Sequence, residues 1–146
     1  MFSRPRELTA SDISAIIEEF RSAAQRALEA GFNSVELHAA NGYLPEQFLL
    51  DGSNFREDDW GGNIAHRARF LLDTVAALTE VWGAGRVAVR ISPSGIYGDM
   101  QDSDPATTRS LLPATICARF SMASSLRQVV SNQILSKRCW TQATRT

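Results

Sequence analysis

The sequence predicts an α/β fold with parallel strands, and more specifically a segment of a (β/α)8 barrel. Helical and strand-like patterns alternate along residues 1–105, and few residues connect each helix to the strand that follows it. This order is typical of a parallel sheet. Both strand patterns alternate apolar with polar side chains. An open sheet with helices on both faces would bury the polar ones, whereas a barrel with a ligand site at its mouth accepts them.

The first helix is predicted over Ser11 to Ala30, because its apolar residues recur at three- and four-residue steps. Thr9 and Asp12 predict a capping box at its start. Gly31 suits the left-handed position just after its end. The recurring apolar residues are Ile13, Ile16, Ile17, Phe20, Ala24, Ala27 and Leu28.

A strand is predicted next, over residues 32–38. Val35 and Leu37 alternate with Glu36 and His38, so each pair occupies one face. The apolar face is expected to pack against the helices. The polar face is then expected to line the barrel interior.

The second helix–strand unit is separated from the first by a long connection. Residues 39–62 are rich in loop-forming residues, with a short helix predicted from Pro45 to Leu50. A connection longer than about 12 to 15 residues is usually functional or disordered. A second helix is predicted from Ile64, ended by Gly83 or Gly85, and a second strand over Val87 to Ile91. His38 and Arg90 then lie near the carboxyl ends of neighbouring strands and face one cavity.

The composition excludes several functional classes. The chain has 146 residues, a net charge of −1 and no long apolar run, and residues 1–6 lack the apolar core of a signal peptide. We therefore expect one soluble cytoplasmic protein rather than a membrane or secreted one. Cys117 and Cys139 have no CxxC spacing, so no metal site is predicted. The motifs of dinucleotide-binding, P-loop, serine-hydrolase and zinc-protease sites are missing.

Charge divides the chain near Pro105. Residues 1–105 contain nine basic and all 16 acidic side chains, whereas residues 106–146 contain six basic side chains, no acidic one and none of the nine glycines. We therefore divide the chain into a barrel segment, residues 1–105, and a basic Ser, Thr and Arg-rich tail, residues 106–146. The tail is interpreted as a product of a shifted reading frame or as a basic amphipathic helix over Ala114 to Lys137. Nothing in it indicates nucleic-acid binding.

Six motifs in the first 105 residues occur together and in order. They are residues 38–44 (HAANGYL), 47–49 (QFL), 51–54 (DGSN), 59–63 (DWGGN), 67–70 (RARF) and 87–93 (VAVRISP). With these motifs, the sequence resembles the old yellow enzyme family of FMN-dependent ene-reductases, also called NADH:flavin oxidoreductases. The resemblance covers residues 2–105 and implies a (β/α)8 barrel with FMN at its carboxyl-end mouth, this chain supplying the fifth and sixth strands.

The resemblance also implies a site. His38 and Asn41 match the pair that binds the carbonyl or nitro oxygen of an activated alkene, and Tyr43 matches the proton donor to the α carbon. Arg90 matches the arginine beside the pyrimidine edge of FMN. The reductant would be NADPH or NADH, and the substrate a small activated alkene. No metal takes part.

Each of these residues also has a structural interpretation. His38 could cap or bond the loop, and Arg90 could form an ion pair with Glu36 inside the barrel. Asn41 with Gly42 is an ordinary turn sequence, and Tyr43 could pack its ring under the loop.

The sequence departs from the family pattern in length. A (β/α)8 barrel takes about 250 residues, and only two of its βα units are recognisable here. We therefore expect the isolated, truncated chain to be inactive, because an unclosed parallel sheet has unpaired edges. The alternative function is a non-catalytic remnant or interaction module that acts through its basic tail, for example by docking to a full-length relative.

Overall fold

The computed structural model of the protein describes residues 5–92, 95, 97, 98, 100–120 and 126–128. Helices and strands alternate along the chain as the sequence predicts. The elements in order are helix α1 (Ala10–Glu29), strand β1 (Val35–Ala39), helices α2 (Leu44–Leu49), α3 (Ile64–Arg67) and α4 (Arg69–Trp82), a 3₁₀ turn (Ala84–Arg86), strand β2 (Val87–Ile91), helix α5 (Pro105–Phe120) and strand β3 (Leu126–Gln128).

The three strands form one parallel sheet in the order β1-β2-β3. In its register, Val35 lies opposite Val87 and His38 lies opposite Arg90. One face of the sheet is apolar and buried, and it packs against the helices. Its residues are Leu37, Ala39, Val87, Val89 and Ile91. The other face carries polar side chains that remain at least partly exposed. This two-sided pattern is that of a barrel wall with helices outside.

Helix α1 begins and ends with the signals that the sequence contains. The Thr9 side chain accepts from the backbone N–H of Asp12, and the Asp12 carboxylate accepts from the backbone N–H of Thr9, which completes the predicted capping box. At the other end Gly31 has φ +84°. Its N–H donates to Leu28 and the N–H of Phe32 donates to Ala27, as in a Schellman motif. The helix is thereby fixed at both ends.

Helices α1 and α4 form the outer layer that covers β1 and β2. The indole N–H of Trp82, a fully buried side chain, donates to the Ala24 carbonyl of α1 at 3.0 Å. A second apolar cluster joins α1 to α2, with Ile13 packed beside the stacked rings of Phe48 and Phe70, whose centroids are 4.5 Å apart. These contacts hold α2, and the loop that precedes it, against the outer layer.

Two element boundaries differ from the prediction. Strand β1 begins at Val35 rather than at Phe32, because Phe32 completes the α1 cap and leaves its ring 65% exposed. The helix predicted from Ile64 is divided into two helices, α3 and α4, which are joined at Ala68. The ψ angle of Ala68 is −14°, whereas about −42° is usual in a helix. Sequence periodicity does not resolve so small a change in dihedral angle.

The tail prediction is corrected by the third strand. The proposed helix over Ala114 to Lys137 is wrong, because α5 ends at Phe120 and residues 126–128 form a strand that pairs in parallel with β2. Residues 121–125 and 129–146 lie outside the described part. The sequence predicts two strands, whereas the described residues form three. The physical reason is that β2 offers an edge of unpaired backbone groups, which a following strand satisfies.

Helix α5 packs one face inward. Thr108, Leu112 and Ile116 are buried at four-residue intervals, as expected for one side of a helix on a sheet. No helix among the described residues is long and apolar enough to cross a membrane. Within the same residues, no three His, Cys, Asp or Glu side chains are grouped to hold a metal ion.

We predict that Phe70→Ala lowers the free energy of unfolding by about 3 to 5 kcal/mol, because it opens a cavity where a fully buried ring stacks on Phe48. Phe55 is 82% exposed, so the matched change Phe55→Ala is expected to stay within about 0.5 kcal/mol. Urea unfolding followed by far-ultraviolet circular dichroism measures both. Equal losses from the two variants would contradict this packing.

Candidate active site

The site lies on the open face of the sheet, where β1 and β2 reach their carboxyl ends. His38 and Arg90 are opposite each other in the parallel register and project from the same face. His38 is exposed, and the Arg90 side chain is 43% exposed. The side chains of β1 and β2 that face the helices are apolar, so the polar side chains of the two strands are confined to this face.

Arg90 forms an ion pair with Glu36. Its Nε donates to Oε1 of Glu36 at 2.8 Å. The ion pair that the structural interpretation of Arg90 predicts is therefore formed. It uses one nitrogen only, because neither terminal nitrogen of Arg90 donates a hydrogen bond to the described part of the chain. The pair holds the guanidinium on the open face while its terminal N–H groups stay available to a ligand.

His38 and Tyr43 lie side by side at the end of β1. Their ring centroids are 4.9 Å apart and their planes are inclined by 51°. The Tyr43 side chain is 60% exposed, so its ring is not packed under the loop. An imidazole and a phenol thus lie next to each other on the same open surface.

Asn41 lies between them in the chain, in a tight turn. Asn41 has φ +58° and Gly42 has φ +79°, and the N–H of Tyr43 donates to the Ala40 carbonyl at 3.2 Å. Two successive positive φ angles are those of a type I′ turn, for which Asn-Gly is the preferred sequence. The turn interpretation of Asn41 is correct, and the turn leaves Asn41 exposed, three residues after His38 in the chain.

Two residues that sequence reasoning missed support this turn. Glu46 is buried, and its Oε2 accepts from the N–H of Gly42 at 2.5 Å. The Ser92 hydroxyl donates to the other oxygen of Glu46 and accepts from the N–H of Asn41 at 2.9 Å. The sequence shows Ser92 only as the end of a strand before a proline, and Glu46 only as a polar residue of a short helix. Neither has a spacing that reveals the contact.

The long loop after α2 is held by buried polar side chains. Asn54 donates to the carbonyls of Phe48 and Trp60, both at 2.7 Å. Arg67 donates to the carbonyls of Leu49 and Gly62 at 2.8 and 2.7 Å. These bonds satisfy loop carbonyls away from water. The loop is therefore ordered scaffold beside the site.

A second set of bonds ties this loop to the segment after β2. The backbone N–H of Ser103 donates to Asp51 at 2.9 Å, and the Ser103 hydroxyl donates to its other oxygen. The pKa of Asp51 is lowered, chiefly by the Ser103 hydroxyl bond and against the opposing effect of burial. A Cβ on Gly52 would lie 2.5 Å from the Gln101 carbonyl oxygen. The two loops thus approach as closely as only a glycine allows.

The residues on the open face fit a flavin ring. A permanent cation suits the ring edge that becomes negative on reduction, and the residue opposite Glu36, two before Arg90 on β2, is the small Ala88. The imidazole, carboxamide and phenol supply two hydrogen-bond donors and an acid. The neighbouring strand ends therefore carry a guanidinium, an imidazole, a carboxamide and a phenol at positions that are at least partly exposed.

These features are those of a (β/α)8-barrel wall whose open face carries polar side chains near the carboxyl ends of its strands. A sequence profile of the NADH:flavin oxidoreductase / NADH oxidase family matches residues 1–141. The chain is 50% identical over 104 residues to 12-oxophytodienoate reductase 7 of Oryza sativa subsp. japonica, which is 71% of this chain and 26% of that enzyme.

Solved structures of the same class superpose on the chain. Morphinone reductase in complex with tetrahydroNAD matches with a TM-score of 0.78 and 44% identity, over 80% of this chain and 32% of that one. An old yellow enzyme homologue from Zymomonas mobilis matches with a TM-score of 0.76 and 33% identity, over 84% of this chain and 35% of that one.

The chain belongs to the NADH:flavin oxidoreductase family, that of the old yellow enzymes, as the six motifs predict. It spans about a quarter to a third of the length of these relatives. The profile match runs beyond Pro105, so the boundary that the sequence analysis set there is not confirmed. The shifted-frame origin of the tail stays a hypothesis.

We predict that the Asp51 contact stabilises the fold in a pH-dependent way. The pKa of Asp51 is lowered in the folded chain, whereas in the unfolded chain it is about 3.9. The contribution of Asp51 to the free energy of unfolding is therefore fully present above the unfolded pKa and is lost as the pH falls through the folded pKa. With allowance for solvent screening, Ser103→Ala is expected to lower the free energy of unfolding by about 1 kcal/mol at neutral pH.

Urea unfolding at a series of pH values between neutrality and strong acid measures this difference. It is expected to shrink below about pH 4, as Asp51 becomes protonated. Ser34 is exposed just before β1, and Ser34→Ala serves as the control, expected within about 0.5 kcal/mol at every pH. A Ser103→Ala difference that stays constant into strong acid would refute the role of the carboxylate.

Proposed function

We propose that the protein is an FMN-dependent NAD(P)H oxidoreductase that reduces an activated carbon–carbon double bond. One observation carries the proposal. The register places His38 directly opposite Arg90 on the open face, the Tyr43 ring lies beside that of His38, and Asn41 is exposed in the turn between these two residues. This supports a site in which one strand end serves the substrate and the other serves the cofactor.

FMN, when bound, would supply a hydride taken from NADH or NADPH to the β carbon of the alkene. Arg90 would hold the cofactor by the ring edge. Its guanidinium stays charged at every physiological pH, and Glu36 fixes its direction through Nε. The terminal N–H groups then point a permanent positive charge at the edge where negative charge gathers, which favours the reduced state.

His38 and Asn41 would bind the oxygen that activates the alkene. Negative charge develops on that carbonyl or nitro oxygen when hydride reaches the β carbon. Two donors fixed at one point stabilise this charge without reorganising, and one such donor is worth about 3 to 4 kcal/mol in related oxyanion sites. The turn that fixes Asn41 and the sheet that fixes His38 provide this rigidity.

Tyr43 would complete the reaction by giving a proton to the α carbon. Hydride on one carbon and a proton on the other add two electrons and two hydrogens, which saturates the bond. A phenol O–H is an acid suited to protonating such a carbon. Tyr43 is exposed and its ring lies 4.9 Å from that of His38, so its hydroxyl can reach the carbon next to the bound oxygen.

We also propose that the 146-residue polypeptide does not turn over by itself. The structure describes three strands in one open sheet, and His38, Tyr43 and Arg90 face away from the helices with no opposite wall in the described part of the chain. Water then has free access to the face, which weakens hydrogen bonds and charge interactions with a ligand. The proposed chemistry needs the remaining wall of a barrel around these residues.

A chimera tests this function. We predict that morphinone reductase whose aligned segment is replaced by this chain binds FMN and reduces an α,β-unsaturated ketone with NADH. In that chimera, Tyr43→Phe is expected to slow alkene reduction by about 100-fold or more and to leave the reduction of the flavin by NADH within about 2-fold. Stopped-flow absorbance measures the two half-reactions separately.

Tyr97→Phe is the matched control, since Tyr97 is the second of the chain's two tyrosines. It is expected to leave both half-reactions unchanged. Equal loss of both half-reactions in Tyr43→Phe would remove Tyr43 from the proton-donor role. A chimera that folds but does not bind FMN would contradict the proposed function itself, and turnover by the 146-residue polypeptide alone would contradict the need for the remaining wall.

A further inference from the structure

We infer that Glu46 is a positioning residue that sets the substrate-binding turn relative to the cofactor-binding strand. The inference rests on the proposed function of Asn41, Tyr43 and Arg90. It assigns to Glu46 a task that none of the binding groups performs: its carboxylate joins the end of β1 to the end of β2.

The contacts of Glu46 form a short chain of hydrogen bonds. One carboxylate oxygen accepts from the N–H of Gly42 at 2.5 Å, and the other accepts from the hydroxyl of Ser92 at 2.5 Å. The Ser92 oxygen in turn accepts from the N–H of Asn41 at 2.9 Å. Two consecutive backbone N–H groups of the turn are therefore connected to one carboxylate, that of Gly42 directly and that of Asn41 through the Ser92 hydroxyl.

The turn needs this support because of its backbone. Asn41 and Gly42 both have positive φ, at +58° and +79°, a region that L side chains rarely adopt. A Cβ on Gly42 would lie 3.0 Å from the Cβ of Tyr97, so the turn also has a neighbour pressed against it. Bonds to the two N–H groups select this turn over the extended alternatives.

Burial shows that the carboxylate has an internal task. Glu46 is 3% exposed, and no basic side chain among the described residues pairs with it at salt-bridge distance. A buried carboxylate without a cation is costly unless hydrogen bonds compensate it. A structural residue that only filled this space would be served better by an apolar side chain.

The position of Ser92 gives the contact its consequence for the site. Ser92 follows the last residue of β2, and Arg90 lies two residues before it on the same strand. The Glu46 carboxylate thus fixes the turn that contains Asn41 relative to the strand that contains Arg90. Tyr43, the residue after Gly42, begins α2 as its N-cap and takes its direction from the same turn.

Amide hydrogen exchange and ring contacts of the 146-residue chain, measured by nuclear magnetic resonance, test the inference without any cofactor. Glu46→Gln keeps the shape but offers one oxygen to two donors. We expect exchange at Asn41 and Gly42 to become about 10-fold faster or more, and the nuclear Overhauser contact between the His38 and Tyr43 rings to be lost. Exchange at Val89, in the middle of β2, is expected to stay unchanged.

Three further variants keep the test decisive. Glu19→Gln replaces an exposed carboxylate on α1 and is expected to alter neither readout. If Glu46→Gln loses protection from exchange throughout the chain, the test uses Ser92→Ala instead, which removes only the Ser92 hydroxyl from this chain of hydrogen bonds. Faster exchange at Asn41 in that variant supports the inference. Ser92→Thr keeps the hydroxyl and is expected to restore slow exchange.

Unchanged exchange at Asn41 and Gly42 with an intact ring contact in folded Glu46→Gln would overturn the positioning role. So would a Ser92→Thr variant that behaves like Ser92→Ala. Because no flavin is present, these results are independent of whether the chimera binds FMN. A failure of the proposed function and a failure of this inference are therefore distinguishable.

Discussion

The parallel pairing of β1 with β2 is the constraint on which the rest of the structure depends. Its register places His38 opposite Arg90, and the period of two along each strand sends both to the face that the helices leave open. A slip of one residue would turn the polar set toward the helices and bury charge in the apolar layer. The buried face, with Leu37 and Val89, therefore fixes the chemistry of the open one.

The loops after the two strands are joined in two places, and both joints involve carboxylates. Glu46 links the Asn41 turn to Ser92, and Asp51 receives both donors of Ser103. A binding group on a loop is only as well placed as the bonds beneath it. Here the loops at neighbouring strand ends are bonded to each other as well as to the scaffold.

Much of this could be predicted from the sequence because it follows from local rules. The α1 cap at Thr9, the glycine at position 31 and the bounds of β2 all follow from side-chain type and period. The family also followed from residues 38–44 and five further motifs. The pairing of Glu36 with Arg90 was foreseen as an alternative and is present, beside the roles proposed for Arg90 rather than instead of them.

What escaped prediction depends on contacts between distant residues. The Glu46–Ser92 bond joins positions 46 residues apart, and no periodicity contains such a pair. Strand β3 was missed for the same reason: its pairing with β2 depends on an available edge rather than on the composition of residues 126–128. The composition of the tail instead favoured an unbroken helix over Ala114 to Lys137, which the described residues do not form.

A crystal structure of the morphinone reductase chimera with oxidised FMN would show whether Arg90 binds the flavin and whether His38 and Asn41 bind the substrate above it. We expect a terminal nitrogen of Arg90 within about 3.2 Å of a ring atom of the flavin and Nε still bound to Glu36. We also expect the His38 and Asn41 side chains to converge on one point above the ring. A flavin that lies elsewhere, or an Arg90 whose terminal nitrogens turn away from the ring, would contradict it.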